Sequence, residues 1–318
     1  MKMRIQKYKN LMFIGVLLIA NTCWSSPSNG TVGFEFLRTT IGARPAAMGD
    51  AFVAISGDIN SLYYNPAGLA EIGVRGGTAA YLKHLLDFHS GQLIGTLPFN
   101  WGTLGLGINY INFGEFKRTS REDPEGMNSG TFGANSFAIT LGAGKKLRNF
   151  ISLGANLKYV RATIENFSSD AFALDFGTII QVPLPDQDHV NIGISIGNLG
   201  QTRQPFIETK DDLPLVVRAG VAKKLAHLPL LFSGQVYKYK GDDVMWAVGG
   251  EFILSSRMFL RLGYDSIGRY QKIGTSGDRL AGANLGFGII WRKYRFDYSF
   301  SSVGDVGSLN RIGFTGAL

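Results

Sequence analysis

From about residue 76 onward, apolar and polar residues alternate along the chain in short runs. In one of these runs, Leu153 and Leu157 fall on one face, whereas Asn156 falls on the opposite face. A period of two residues places successive side chains on opposite sides of a β-strand. The pattern therefore predicts strands that each have one apolar face and one polar face.

Such runs recur along the rest of the chain and predict about fourteen strands. They are centred on residues 77–86, 90–99, 101–112, 134–146, 150–164, 170–182, 189–198, 213–224, 229–239, 243–254, 257–265, 279–290, 292–300 and 309–318. The connections that follow odd-numbered strands include the three long ones, at 113–133, 199–212 and 266–278. An even number of strands of about ten residues, with the long loops at one end, is typical of outer-membrane barrels.

The predicted fold is therefore all-β: a transmembrane antiparallel β-barrel of about 14 strands that occupies residues 76–318. In lipid no water can pair with a free backbone N–H or C=O group, so such a sheet must close on itself. The apolar faces should then point to lipid and the polar, glycine-rich faces to the lumen. Aromatic residues near strand ends predict girdles at the two membrane interfaces. These residues are Trp101, Tyr110, Tyr159, Tyr237, Tyr239, Trp246, Tyr264 and Trp291.

The first 25 residues have the features of a secretory signal peptide. The start MKMRIQKYKN is basic, LMFIGVLLIA is apolar but too short to span a bilayer, and small residues follow it. We therefore predict a signal peptide over 1–25 and export to the outer membrane of a Gram-negative-type bacterium. Lipid attachment at Cys23 is the alternative to cleavage after Ser25.

Residues 26–75 differ in character from the rest of the chain. The stretch DINSLYYNPAGL is compact and helix-like, with Asp58 as the expected helix cap. Asn65 and Pro66 are expected to end the helix, and Gly68 to allow a turn. A helix this short is unstable in water unless it packs on a wall. Because the barrel interior offers such a wall, we predict that residues 26–75 form a helical plug, or hatch, in the lumen.

The sequence ARPAAMGDAFVAISGDINSLYYNPAGLA resembles the N-terminal signature of FadL-like outer-membrane barrels, and it is most similar to the PorV/PorQ branch. The matching residues are Arg44, Met48, Gly49, Ala51, Phe52, Val53, Ala54, Asp58, Tyr64, Asn65, Pro66, Ala67, Gly68 and Leu69. The resemblance implies a plugged barrel of fourteen strands. It also implies one of two functions. The first is passive transport of hydrophobic or amphipathic small molecules across the outer membrane. The alternative is a non-catalytic subunit of the type IX protein secretion and surface-attachment system.

Charged residues also fall on the predicted inner face of the barrel. They are Lys158, Asp175, Arg218, Glu251, Arg261, Asp265, Arg295 and Asp297. They are interpreted either as ion pairs that anchor the plug or as a polar permeation path. Arg44 is the expected plug partner of an inner-wall acid, because an unpaired buried charge is costly.

The sequence predicts no enzyme. No G-x-S-x-G nucleophile elbow, paired-cysteine motif or zinc-protease spacing is recognised in the sequence, so we expect no catalytic residue, cofactor or metal site. His84 and His89 flank the first loop and are interpreted as rim residues.

The chain carries a net charge of +8, and four of its positive charges lie in the signal segment. The remaining basic residues are scattered, so no nucleic-acid partner is expected. The expected partners are outer-membrane lipid, a hydrophobic or detergent-like small molecule, and secretion-system proteins that bind the three long loops.

Overall fold

The computed structural model describes residues 32–85, 88–184 and 189–317. The predicted signal peptide, with Cys23 and Ser25, lies outside the described residues. None of the helices in the described ranges is long and apolar enough to cross a lipid bilayer.

Fourteen antiparallel strands form a closed barrel. They are β1 (Gly76–Lys83), β2 (His89–Phe99), β3 (Gly102–Lys117), β4 (Thr131–Arg148), β5 (Ile151–Ile164), β6 (Phe167–Pro183), β7 (His189–Gln204), β8 (Val216–Lys224), β9 (Leu230–Tyr239), β10 (Met245–Ile253), β11 (Met258–Asp265), β12 (Ala283–Trp291), β13 (Tyr294–Ser302) and β14 (Ser308–Ala317). The barrel closes where β1 pairs with β14, with Gly76 opposite Ala317. This closure pairs the two strands that would otherwise be exposed edges. The prediction of an all-β, fourteen-stranded antiparallel barrel is confirmed.

Several strands are longer than predicted, so two of the long connections are shorter. The connection after β3 spans 118–130 instead of 113–133, and the connection after β7 spans 205–215 instead of 199–212. In each of these two strands, β3 and β7, an irregularity interrupts the alternation of apolar and polar residues. In β3 the register shifts between Asn112 and Glu115, and in β7 Asn198 has a φ of 61°. An irregularity of this kind breaks the period of two while the pairing of the strands continues beyond it.

The two faces of the strands differ in exposure as the alternation predicts. Leu153 and Leu157 are 43% and 51% exposed, whereas Asn156 and Lys158 are 2% and 6% exposed. The apolar side chains therefore cover the outside of the barrel, and the polar side chains line its inside. An apolar outer band of this kind is the surface that a barrel presents to lipid.

Residues 32–75 form what we call the N-terminal segment. It contains two short helices, α1 (Ala43–Ala47) and α2 (Ser61–Tyr64), and two 3₁₀ turns, Glu35–Arg38 and Pro66–Glu71. The helix α2 ends at Asn65, as predicted, and the Asn65 side chain accepts a hydrogen bond from the backbone N–H of Ala67 at 3.1 Å.

One detail of the predicted helix ends is wrong. The residue before α2 is Asn60, not Asp58, and the Asp58 carboxylate instead accepts the Asn60 backbone N–H at 2.8 Å. Gly68 lies within a 3₁₀ turn and does not have a positive φ. Its small size serves close packing, since a Cβ at this position would overlap Ser61 and the carbonyl of Ile55.

The N-terminal segment packs directly on the inner face of the barrel. Its apolar core side chains Met48, Phe52 and Leu62 are fully buried. A Cβ added to Gly154 on β5 would overlap the backbone of Pro66, and one added to Gly263 on β11 would overlap Met48 and Gly49. Glycine on the inner wall therefore lets the backbone of the segment lie against the backbone of the strands.

Candidate functional site

A ring of buried charges joins the N-terminal segment to the barrel wall. Arg44 of α1 donates hydrogen bonds to both carboxylate oxygens of Glu251 on β10, at 2.8 and 2.7 Å. A third nitrogen of Arg44 donates to Asp58, at 2.6 Å. Arg44 thus bridges an acid of the segment and an acid of the wall, whereas the sequence led us to expect only the wall acid.

Three residues of the wall complete this ring. Arg261 on β11 donates to Glu251 at 2.6 Å and to Asp297 at 2.7 Å. Arg295 on β13 donates hydrogen bonds to Asp297 at 2.7 Å and to Asp58 at 3.3 Å, and the second bond closes the ring. We call this closed set of three cations and three anions the charge ring. It consists of Arg44, Asp58, Glu251, Arg261, Asp297 and Arg295. Because the signs alternate, each charge lies between two opposite charges.

The charge ring keeps the charges of the segment ionised although they are buried. Burial alone would raise the pKa of Asp58, but the charges of Arg44 and Arg295 hold that pKa well below its ordinary value. Burial alone would lower the pKa of Arg44, but the Glu251 and Asp58 carboxylates raise it above its ordinary value. Both residues therefore remain charged, and their mutual pairing offsets the cost of removing them from water.

The other four predicted inner charges lie elsewhere on the inner face. Lys158 on β5 contacts Asp175 on β6 at 2.8 Å, and both also bond to Asn198. Arg218 on β8 lies over the rings of Tyr64 and Tyr239, 5.9 Å from each centroid. Asp265 at the end of β11 accepts a hydrogen bond from the Tyr237 hydroxyl at 2.6 Å. The eight predicted charges thus divide between the charge ring, the Lys158–Asp175 pair and two single positions.

The two single charges line an interior cavity of about 110 Å³ between the N-terminal segment and the wall. Four tyrosine rings contribute to its lining, from Tyr63 and Tyr64 of the segment and from Tyr237 and Tyr239 of β9. Lys158 lines it as well, and the remaining lining includes the amides of Gln92 on β2 and Asn109 on β3. The cavity is therefore both aromatic and polar.

Two of these tyrosines correct a sequence prediction. Tyr237 and Tyr239 were expected in an outer aromatic girdle, but they are 7% and 6% exposed and face the interior. The phase of β9 carries the signal that would have placed them, because Gln235 and Ser233 occupy the same face two and four positions before Tyr237. Sequence reasoning also missed Gln92 and Asn109, which differ from other inward polar residues only in what surrounds them.

A second concave surface lies on the outside of the barrel. This outer groove has a volume of about 420 Å³ and lies across β14, β1, β2 and β3. The small residues Ala79 and Gly91 line it together with larger apolar side chains, which include Leu93 and Phe314. Gln92 lines both the outer groove and the interior cavity, so the two spaces lie on opposite sides of the same part of the wall.

The predicted rim histidines lie at the β1–β2 connection. The ring nitrogen Nε2 of His84 is 2.7 Å from the hydroxyl of Ser90, and Nδ1 of His89 is 2.5 Å from the hydroxyl of Tyr81. Partial burial, followed by the nearby charges of Arg311 and His89, lowers the pKa of His84 to about 4. Within residues 32–85, 88–184 and 189–317, no group of three or more His, Cys, Asp or Glu residues has an arrangement that could hold a metal ion.

The spacing of a serine-hydrolase motif does occur once, as Gly193-Ile-Ser-Ile-Gly197. The motif needs a strand-to-helix turn that exposes the serine hydroxyl. Here the five residues lie inside the continuous strand β7, and Ser195 donates its hydroxyl to the carbonyl of Tyr64 at 2.7 Å. This serine is therefore a contact between the wall and the N-terminal segment.

No protein-family model matches the chain, and no curated protein matches it. Solved structures do match it over most of its length. The toluene transporter TbuX of Ralstonia pickettii is 12% identical with a TM-score of 0.57, and the match covers 87% of this chain and 98% of that chain. CymD, a monoaromatic hydrocarbon channel, is 11% identical with a TM-score of 0.60, over 87% of this chain and 97% of that chain.

The toluene transporter TodX of P. putida is 10% identical with a TM-score of 0.59, over 87% of this chain and 98% of that chain. None of these three proteins is named as an enzyme. At identities this low the likeness concerns the fold, and a ligand has to be argued from the geometry of this chain. The chain therefore shares its fold with barrel transporters and channels whose named cargoes are toluene and monoaromatic hydrocarbons.

Proposed function

We propose that this chain is a FadL-like barrel of the PorV/PorQ family in the outer membrane. In this proposal it passively transports small hydrophobic or amphipathic molecules across that membrane, and its N-terminal segment acts as a hatch in the lumen. The observation that carries the proposal is that the outer groove and the interior cavity lie on opposite sides of the wall at Gln92. Because β2 is paired to β1 and β3 without interruption here, a molecule crosses only where these strands part locally, and it then enters lipid without crossing bulk water.

Two further observations support this function. The outside of the barrel is apolar, as a lipid-embedded barrel requires. The structures with the same fold include proteins named as transporters of toluene and as a monoaromatic hydrocarbon channel.

Two glycines of β2 provide a matched test of the route. Gly91 lines the outer groove and Gly95 does not, although both are on the outward face and a Cβ at either position would meet open space. We expect Gly91→Trp to lower the initial rate of uptake of a labelled monoaromatic compound at least threefold. Uptake is measured in intact Gram-negative cells that express the chain, and Gly95→Trp should leave the rate unchanged. Equal rates for the two variants would reject the route through the groove.

The hatch role has a separate test. A variant that lacks residues 31–70 should insert into planar bilayers with a higher single-channel conductance than the full chain, because the lumen would then be open to ions. An unchanged conductance would show that the N-terminal segment does not limit passage through the barrel.

A second candidate function, a subunit of the type IX secretion and surface-attachment system, has one observation in its favour. Each long connection exposes a large apolar side chain. Met127 is 79% exposed, Ile207 81% and Ile273 63%. A partner protein that covered these side chains would bury their apolar surface, which favours association. Replacing all three by Ser should abolish surface attachment of exported proteins under this function, and should leave uptake of the aromatic compound unchanged under the transport function.

A further inference from the structure

The two ends of the barrel differ in the charges that they expose. The short connections follow the even-numbered strands, and what we call the turn end consists of residues 71–75, 99–102, 145–151, 223–230, 253–258 and 290–294. Its exposed charged side chains are all basic: Arg75, Lys145, Lys146, Arg148, Lys224, Arg257, Arg292 and Lys293. The sixth short connection, 184–188, contains the acids Asp186 and Asp188 in the sequence, and the exposed cations still outnumber them.

One acid accompanies these cations. Glu71 is the single acid of the turn end, and its carboxylate contacts Lys146 at 3.5 Å. The same carboxylate accepts hydrogen bonds from Ser56 and Gln181, each at 2.6 Å. Within the part of the chain that the structure describes, the other exposed cations of the turn end have no carboxylate within 4 Å. Their charges are therefore available to an anion outside the chain.

The opposite end of the barrel, with the long connections, exposes charges of both signs. Lys240 contacts Asp212 at 2.5 Å, and Arg118 pairs with Glu165. In the connection after β3, the exposed Glu122 directly follows Arg121. The excess of exposed positive charge is therefore a feature of the turn end and not of the whole surface.

Exposed aromatic side chains lie among the cations of the turn end. Trp101 is 48% exposed and Trp291 59%. The guanidinium of Arg292 lies over the ring of Trp291, 5.1 Å from its centroid. Lys145 is opposite Leu153 in the strand register and both are exposed, so the Lys145 side chain starts on the lipid-facing side of the barrel. Side chains of these types at the edge of an apolar band lie at the level of the lipid headgroups.

The location of the turn end restricts what its cations meet. Short turns of outer-membrane barrels face the periplasm, so the turn end lies in the leaflet on that side. A rim whose aromatic side chains are embedded among lipids is already covered by lipid, which favours a headgroup over a protein as the partner. Lysine and arginine bind phosphate through charge-assisted hydrogen bonds, and clusters of them attract lipids that carry a net negative charge.

We propose that the turn end binds anionic phospholipids of the phosphatidylglycerol class in preference to zwitterionic phosphatidylcholine. The phosphate lies among the exposed lysines and arginines, and the acyl chains pack beside the exposed aromatic rings. A zwitterionic headgroup brings its own cation, so its net charge gains less from the same side chains. The inference goes beyond transport and uses only the membrane location from the proposed function.

The tryptophans of this chain allow the two ends to be compared. Trp101 and Trp291 lie at the turn end, and a Cβ on Gly102 would be 3.3 Å from the Cα atom of Lys145. Trp246 is at the other end of the barrel, near the start of β10, and is 45% exposed. The double variant Trp24→Phe, Trp246→Phe keeps the two turn-end reporters. The triple variant Trp24→Phe, Trp101→Phe, Trp291→Phe keeps only the reporter at the opposite end.

The measurement is quenching of tryptophan fluorescence by brominated lipids, with the full chain folded into vesicles that mix phosphatidylglycerol and phosphatidylcholine. Brominating one lipid and then the other gives their relative binding constant. We expect phosphatidylglycerol to be preferred at least threefold at the turn-end reporters and less than 1.5-fold at Trp246. The preference should disappear in 1 M salt, where the Debye length is about 3 Å. No preference at the turn end, or an equal preference at both ends, would overturn the proposal.

Charge variants assign the preference to the turn end. In the background that keeps Trp101 and Trp291, the triple variant Lys145→Gln, Arg148→Gln, Lys293→Gln should lower the preference to less than 1.5-fold.

The matched control is Lys117→Gln, Arg121→Gln, Lys210→Gln, which removes three exposed cations from the opposite end and should leave the preference unchanged. Equal losses in the two variants would overturn the proposal, because total charge would then explain the attraction. Heat-modifiable gel migration shows whether each variant is folded. If a charge variant does not fold, the comparison of the two reporter ends still decides the question.

The same experiment separates this inference from the proposed membrane location. Absence of quenching by both brominated lipids at both ends would reject a lipid-embedded barrel and the lipid site with it. Strong quenching without a preference would retain the barrel in the membrane and overturn only the anionic lipid site. The uptake rates of the Gly91 and Gly95 variants test the transport route independently of either result.

Discussion

The charge ring and the interior cavity both lie between the N-terminal segment and the barrel wall, but their polar groups are satisfied to different degrees. In the charge ring, every charge lies between two opposite charges, from Arg44 through Glu251 and Arg261 onward. In the cavity, the amides of Gln92 and Asn109 have unpaired oxygens among the described residues. The ring is thus built to hold the segment in place. The buried, unpaired amide oxygens beside the cavity instead cost stability.

The largest effect is expected from breaking the charge ring. Arg44→Met leaves the buried acids Asp58 and Glu251 without their shared partner, and removing one member of a buried ion pair costs about 3–5 kcal/mol. The free energy of unfolding of the folded barrel, measured by urea titration in lipid vesicles, should fall by this amount. The exposed residue Arg257 offers the control, since Arg257→Met should have little effect. A small loss for Arg44→Met would mean that the ring does not anchor the segment.

A packing contact between uncharged groups should have an effect on the free energy of unfolding that is intermediate between those of the charge ring and the cavity. Gly154→Ala inserts a Cβ where the backbone of Pro66 already lies, and overpacking of this kind costs about 1–3 kcal/mol. Gly95→Ala adds the same methyl group to open space on the outer face of β2. The difference in unfolding free energy between the two variants measures how tightly the segment presses on the wall. Equal values would mean that the segment can move away without cost.

The charge ring should also give stability a dependence on pH. The folded-state pKa of Asp58 lies below its ordinary value, so its contribution is complete above the ordinary carboxylate pKa of about 4. That contribution is lost as the pH falls from this value towards the lower folded-state pKa, because the unfolded state then takes up the proton first. The urea midpoint of unfolding, measured between pH 7 and pH 3, should therefore decrease within this pH window. The decrease in the midpoint should be smaller in Arg44→Met than in the unaltered chain. An equal decrease in the two proteins would show that other carboxylates cause it.

The smallest change in the free energy of unfolding is expected from a substitution at the cavity, and this change should increase stability instead of lowering it. Gln92→Leu removes a buried amide that lacks a partner, and replacing such a group by an apolar one of similar size is neutral or slightly stabilising. The free energy of unfolding should change by less than about 1 kcal/mol, towards higher stability. A loss comparable with that of Arg44→Met would show that the Gln92 amide is paired in the folded protein, and the contrast between the two regions would disappear.

The barrel could be predicted from the sequence because its main determinant is local. Alternation with a period of two assigns Leu153 outward and Lys158 inward without any knowledge of neighbouring strands. The same phase predicts Asp297 and Arg261 on the inner face, and both are buried in the structure. The end of β3 was predicted too early because the period of two is interrupted at Gly114, which has a φ of 75°. The pairing of β3 with β4 continues beyond this irregularity.

The site could be predicted only in part, because its contacts join distant parts of the chain. Arg44 was expected to meet an acid of the wall, but nothing in the sequence distinguishes Glu251 from the other inward acids. The closure of the ring depends on the curvature of the barrel, which brings β13 to Asp58. Gln92 and Asn109 were missed because an unpaired amide is defined by what is absent around it, and a sequence does not contain that information.

The charge ring has a consequence for the order in which the molecule assembles. Arg44 and Glu251 are 207 positions apart in the chain, and Asp58 and Arg295 are 237 positions apart. The residues synthesised early therefore find their partners only after the C-terminal strands have been made and paired. Contacts of such long sequence separation form late and slow the folding of a protein. Until then the N-terminal segment must be kept from aggregating in water, and its docking would be the last step of assembly.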